Sequence, residues 1–159
     1  MQPDGSADTT EIFDIIPHIK ADVIIIRSTI PVGTCEKLAE QGFHNIVFCP
    51  EHYGMTQHAL TNPGFAILGG AAHLRNLAVN VFMTVKSADF HFIFTDWKTA
   101  ELSKYMLNAF LAMKVTFCNE FACIASSFGV NYNQLRECFI ADKRVGNSHT
   151  FVYQDEPYY

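Results

Sequence analysis

The chain has 159 residues, of which 49% are apolar and 17% charged, enough to bury one core in a single domain or in one domain with an appendage. A net charge of -5 argues against nucleic acid or an anionic membrane as the main partner. Five cysteines, an odd number without a CxxC pair, fit the reduced thiols of a cytoplasmic protein, and neither a signal peptide nor an apolar run long enough to cross a bilayer is expected.

In chain order, Met1 to Asp8 is polar and turn-like, and Asp8 or Thr9 can cap a helix from Thr10 to Ile19. Ala21 to Ser28 contains a continuous apolar run suited to a strand buried on both faces. Thr29-Ile30-Pro31 breaks that strand, and Pro31 is placed to open a helix running to Gln41. Asn45 to Cys49 is a second short strand stopped by Pro50, and an irregular loop with one helical turn is expected over Glu51 to Pro63. Phe65 to Leu68 is a third strand ended by Gly69-Gly70, Ala71 to Met83 a helix, and Asp89 to Phe94 a fourth strand.

The stretch from Trp97 to Phe128 has no proline or glycine and is rich in Ala, Leu, Met and Lys, so one helix of about 45 Å is expected. On its wheel Met106, Phe110, Met113, Phe117, Ile124 and Phe128 form one apolar stripe, and Leu111, Val115, Cys118 and Ala122 form a second. A helix apolar on two sides is buried on two sides, and fourteen Phe suggest more apolar surface than one copy hides. One stripe is therefore expected to face the domain and the other a second copy. Gly129 closes this helix, and Asn131 or Asn133 begins a shorter one to Ile140. From Ala141 to Tyr159 no periodicity is present.

Strands alternating with helices at this spacing predict an α/β fold with a parallel sheet and a helical appendage, divided into 1–96 and 97–159. Ligands of such sheets collect at the carboxyl ends of strands, here Ser28-Thr29, Cys49-Pro50-Glu51 and Gly69-Gly70. The Thr29 hydroxyl can face a crevice, or Ser28 or Thr29 simply caps the next helix. Glu51 can orient a water or act as a base, or it is solvated.

Lys104 and Asn108, four apart, present both heads on one helix face, where they can stabilise an oxyanion. The plainer alternative is a snorkelling lysine beside an amide that caps a carbonyl. Gly69-Gly70 can cradle phosphate or make a tight turn, and Arg144, past a helix end, can grip a phosphate or sugar hydroxyl or stand exposed. Seven histidines show no HxxxH or HExxH spacing, so no metal site is expected, and Cys118 and Cys123 are expected to fill the core.

Taken together, these segments resemble the UDP-glucose/GDP-mannose dehydrogenase family. Arg27 to Gly33 (RSTIPVG) is similar to its KSTxPxG, Cys49-Pro50-Glu51 to its NPE, and Asn62-Pro63 through Gly69-Gly70 to NPxxxxIGG. Glu101-Leu102-Ser103-Lys104 with Asn108 to Ala112 is similar to ELxKxxxNAFLA, followed by Asn119-Glu120, and Asp142 to Gly146 resembles DxRIG. The family oxidises the 6-hydroxyl of a nucleotide sugar to a carboxylate with two NAD+. The resemblance implies the second half of a Rossmann-like sheet followed by a dimerisation helix. It implies that Thr29 and Glu51 position a water near the nicotinamide, that Lys104 and Asn108 stabilise the oxyanion, and that Arg144 reaches the substrate across a homodimer joined by helix 97–128.

The family's GxGxxG loop and the cysteine of its GGxCxxKD motif do not occur in these 159 residues. Without a thiolate no thiohemiacetal forms. The expectation is therefore a truncated or split dehydrogenase, inactive alone and completed by a second polypeptide. The rival is a dimeric binding or structural module derived from that enzyme.

Overall fold

The computed structural model describes residues 7–52, 55–56, 59–60, 64–86 and 89–152. They form two compact units, 1–104 and 105–159. The first unit is built on a four-stranded sheet in the order β1 (Ile24–Ile26), β2 (Ile46–Phe48), β5 (Phe65–Gly69), β6 (His91–Thr95), with a separate small pair β3 (Met55–Thr56) and β4 (Ala59–Leu60).

The α/β class is as expected, but the sheet is mixed rather than parallel. β1 runs parallel to β2 and β5 to β6, whereas β2 meets β5 antiparallel through Phe48 and Gly69. The cause is the connection. Parallel neighbours need a long crossover, usually a helix. Between β2 and β5 the described residues hold only the β3–β4 pair where one helical turn was expected.

Alternation along β2 places the two layers. Ile46 and Phe48 pack with Ile24, Ile26, Ile30, Cys35 and Leu38 under α1 (Thr10–Ile15) and α2 (Thr34–Glu40). Val47 and Cys49 pack on the opposite face with Leu68, Leu74, Ala78 and Phe82, under α3 (Ala72–Met83). Such two-faced burial is why these strands read as continuous apolar runs.

Element ends differ from expectation where proline and glycine act. α1 stops at Ile15 and gives way to a 3₁₀ turn, Ile16–His18, containing Pro17. Pro31 does not open α2; its carbonyl accepts the N–H and hydroxyl of Thr34 (3.1 and 2.6 Å), and left-handed Gly33 (φ 91°) precedes the helix. α4 (Trp97–Ser127) starts behind Asp96, whose Oδ1 accepts the Thr99 N–H at 2.9 Å, and ends at left-handed Gly129 (φ 68°). α5 (Tyr132–Ile140) is capped by Asn131, which accepts the Gln134 N–H at 3.2 Å.

In the second unit, the stripe of Leu111, Val115, Cys118 and Ala122 is the covered one, with Cys118 and Ala125 buried. The other stripe is open: Met106 is 76% exposed, Met113 57% and Phe128 79%, with Phe110, Phe117, Phe121 and Ile124 also exposed. By length and composition α4 is long and apolar enough to cross a membrane, contrary to the expectation of no such run. Its polar residues, such as Lys114 and Glu120, are spaced widely enough that the average stays apolar although no stretch is unbroken. Cys123 is exposed rather than a core filler, because it lies off the covered stripe that holds Cys118.

Candidate functional site

Two chain segments converge in the first unit. After β1 the strand end is held by Ile26 and Arg27, whose carbonyls accept the N–H groups of Cys49 (2.8 Å) and Glu51 (3.2 Å). Parallel pairing thus carries Arg27, Thr29, Glu51 and His52 to the carboxyl ends of β1 and β2, the position where a ligand crevice forms. Arg27 NH2 lies 3.8 Å from Glu51 Oε1, both side chains about half exposed, so this pair orients more than it stabilises.

Lys104 enters the same electrostatic neighbourhood. Burial lowers its ammonium's affinity for the proton, and the charge of Glu51 opposes that shift. His52 is pushed below its ordinary value by burial and then by Lys104, with a hydrogen bond to the Pro50 backbone acting the other way. Its ring lies 5.0 Å from that of Phe65, and its Nε2 is buried without a hydrogen-bond partner. A carboxylate, an imidazole of lowered proton affinity and a partly desolvated ammonium that feel one another's charge can accept a proton, orient water and stabilise an oxyanion.

Thr29 is exposed on the loop between β1 and α2 and does not cap α2, and neither does Ser28. That task falls to Glu101, a fully buried carboxylate on α4. Its Oε2 accepts the Gly33 N–H at 2.5 Å and its Oε1 the Cys35 N–H at 2.9 Å. Burial, and then Glu101, raise the Cys35 thiol far above its ordinary range. Glu101 precedes Lys104 by less than one turn, so one helix end carries both the clamp on the Thr29 loop and the ammonium. Sequence reasoning treated Glu101 only as part of a motif. The available signal was a carboxylate in the first turns of a helix beside Trp97 and Ala100.

The double glycine has a steric cause. A Cβ on Gly69 would stand 2.6 Å from Ala100 Cβ and 2.8 Å from the Asp96 carbonyl, and one on Gly70 3.0 Å from Trp97 Nε1 and the Ile46 carbonyl. α4 begins against this turn, and Trp97 Nε1 donates to the Ile46 carbonyl at 3.1 Å. Close packing against α4 therefore accounts for both glycines without a phosphate.

The second unit holds the remaining candidates. Asn108 is exposed on α4. Arg144 has a 90% exposed side chain, and its NH2 donates to Asp142 Oδ2 at 2.6 Å. Hydrogen bonds from Arg144 hold the Asp142 carboxyl below the usual carboxylate range. A buried arginine that sequence reasoning missed, Arg136, organises this unit. Its Nε donates to Thr150 Oγ1 at 2.9 Å, its NH2 to the Asn147 carbonyl at 3.4 Å, and its guanidinium lies 3.7 Å from the Phe151 ring centroid. Among the described residues no three His, Cys, Asp or Glu side chains are grouped to hold a metal. Asn62-Pro63 and His58 lie outside the described residues.

Residues 98–155 match the model of the UDP-glucose/GDP-mannose dehydrogenase family, central domain. The chain is 33% identical over 161 residues to the uncharacterised protein MJ1054 of Methanocaldococcus jannaschii, covering 91% of this chain and 18% of that protein. It is 30% identical over 157 residues to UDP-glucose 6-dehydrogenase of Rickettsia bellii, covering 91% of this chain and 36% of that protein. The UDP-glucose dehydrogenase structure from Pyrobaculum islandicum superposes with a TM-score of 0.74 at 26% identity, over 93% of this chain and 38% of that one. The chain thus spans between about a fifth and two fifths of the length of these proteins. Motifs, sequence relatives and fold agree that this chain is similar to a central segment of UDP-glucose/GDP-mannose dehydrogenases.

Proposed function

We propose that this chain carries part of the catalytic machinery of an NAD-dependent nucleotide-sugar 6-dehydrogenase, of the type that converts UDP-glucose to UDP-glucuronate. The observation that supports it most is the electrostatic linkage of Lys104 with Glu51 and His52 at the carboxyl ends of β1 and β2. Glu51, with Thr29, would orient a water that takes the proton of the 6-hydroxyl, and Lys104 would donate to the oxyanion of the following step. Asn108 is assigned to the same oxyanion and Arg144 to the nucleotide sugar through the motifs they share with the family. NAD is the cofactor that this resemblance implies. Gly69-Gly70 is taken up by packing against α4, so Thr29 and Glu51 are the residues of this segment that would lie near it.

Neither the glycine-rich loop nor the GGxCxxKD cysteine lies within these 159 residues, so turnover would need both supplied from outside this segment, and a second polypeptide carrying them can serve as that supply in a test. The open α4 stripe from Met106 to Phe128 supports a homodimer with α4 as its seam, and five unpaired thiols suit the cytoplasm. The same stripe favours the second reading, a dimeric structural module without catalysis. The test is NADH formation from UDP-glucose and NAD+ by this chain alone and with a chain carrying the glycine loop and nucleophile. The proposal expects activity only in the mixture. Inactivity of a folded, associated mixture would refute it and leave the structural module.

A further inference from the structure

We propose that Lys114 is a positioning residue for Arg144: it clamps the turn from which the guanidinium projects and so sets the aim of that group toward a nucleotide sugar. This rests on the role given to Arg144 above. Lys114 Nζ donates to two successive carbonyls, those of Val145 and Gly146, each at 3.2 Å. Two carbonyls in a row can face one ammonium because Gly146 is left-handed (φ 67°), and a Cβ there would stand 4.0 Å from Lys114 Nζ.

The same turn is closed on itself. The Val145 N–H donates to the Asp142 carbonyl at 3.0 Å, and the Arg144 N–H to Asp142 Oδ1, also at 3.0 Å. Arg144 Nε reaches both Asp142 oxygens, at 3.0 and 3.1 Å, so the guanidinium has a fixed rest position once the turn is fixed. Lys114 and Arg144 line one apolar hollow of about 260 Å³ with Phe110, Met113, Phe117 and Phe139.

The lysine is therefore partly withdrawn from water. Burial lowers its pKa, and its charge helps to lower that of His149. A solvated lysine with no structural duty would not leave water to meet two neutral carbonyls. The ammonium acts as a pin between α4 and the turn.

Amide exchange at Arg144 and Val145, read by NMR in the full chain, and calorimetry with UDP-glucose test this in Lys114→Ala and Lys114→Arg. Exchange about tenfold faster in Lys114→Ala, with UDP-glucose affinity about tenfold weaker and unchanged circular dichroism, is expected for the loss of two bonds from a charged donor. Lys114→Arg, whose fork offers two donors to two carbonyls, restores both. Unchanged exchange overturns the clamp. Faster exchange with unchanged affinity overturns the positioning of Arg144. If wild-type chain binds no UDP-glucose, the proposed function fails, and the Arg144 Nε–H signal decides the clamp: retained in wild type and Lys114→Arg but lost in Lys114→Ala supports it, and retained in all three refutes it.

Discussion

Replacing Glu101 by Gln tests whether the Thr29 loop is fixed by the start of α4. The carboxylate is fully buried and meets the backbone N–H groups of Gly33 at 2.5 Å and Cys35 at 2.9 Å. An amide of the same shape offers one acceptor and one donor, so one of the two N–H groups faces an NH2. A lost charge-assisted bond is worth about 1.5–3 kcal/mol, and a buried unpaired donor adds about 1–3 kcal/mol. Against this, a neutral amide is less costly to bury than a carboxylate. The net expectation is a destabilisation of about 2–3 kcal/mol for Glu101→Gln and about 3–5 kcal/mol for Glu101→Ala, which orphans both donors. Urea unfolding gives the size, and amide exchange at Gly33 and Cys35 gives the place. A loss below about 0.5 kcal/mol for Glu101→Ala, the range of an ordinary surface change, would refute the clamp.

Gly69→Ala forces a methyl to within 2.6 Å of Ala100 Cβ and 2.8 Å of the Asp96 carbonyl, and overpacking of about 1–3 kcal/mol or more should appear as a lower melting temperature. Cys123 and Cys138 should react with a thiol reagent at once, whereas Cys35, Cys49 and Cys118 should react only on unfolding, with the Cys49 thiol also raised to about 11 by burial. His52 and His149 have lowered pKa values in the fold, so the unfolded chain binds more protons below its own histidine pKa of about 6.5. Stability should therefore rise with pH through about 6.5, and the urea midpoint of His52→Gln should depend on pH less steeply than that of wild type. Sedimentation velocity should show a dimer for wild type and a monomer for Phe117→Glu, whose charge would enter the open stripe.

Much of this was legible from periodicity. The continuous apolar runs at 24–26 and 46–48 became two-faced strands, and the 31-residue α4 came within one residue of its expected end. What stayed hidden depends on pairing between distant segments. The antiparallel step from β2 to β5 follows from the path between them, which carries no strong local pattern. Glu101 lies 68 residues from Gly33, and no local rule links a carboxylate in one helix to the start of another. Gly69-Gly70 looked like a turn or a phosphate loop because the side chains that crowd it, Ala100 and Trp97, come from a later element. Nothing in the local pattern marks Arg136 on its short helix; its partners Thr150 and Asn147 come from the segment after that helix. Motif order, by contrast, carried the family, since five short patterns in sequence are far less frequent by chance than any one.

The most direct test of the proposed function is calorimetry of UDP-glucose against wild-type chain and Lys104→Met, which removes the ammonium beside Glu51 and keeps a side chain of similar length. The proposal predicts saturable binding to the wild type and a loss of about tenfold or more in affinity for the variant. Binding of equal strength to both, or none to a folded wild-type chain, would contradict it.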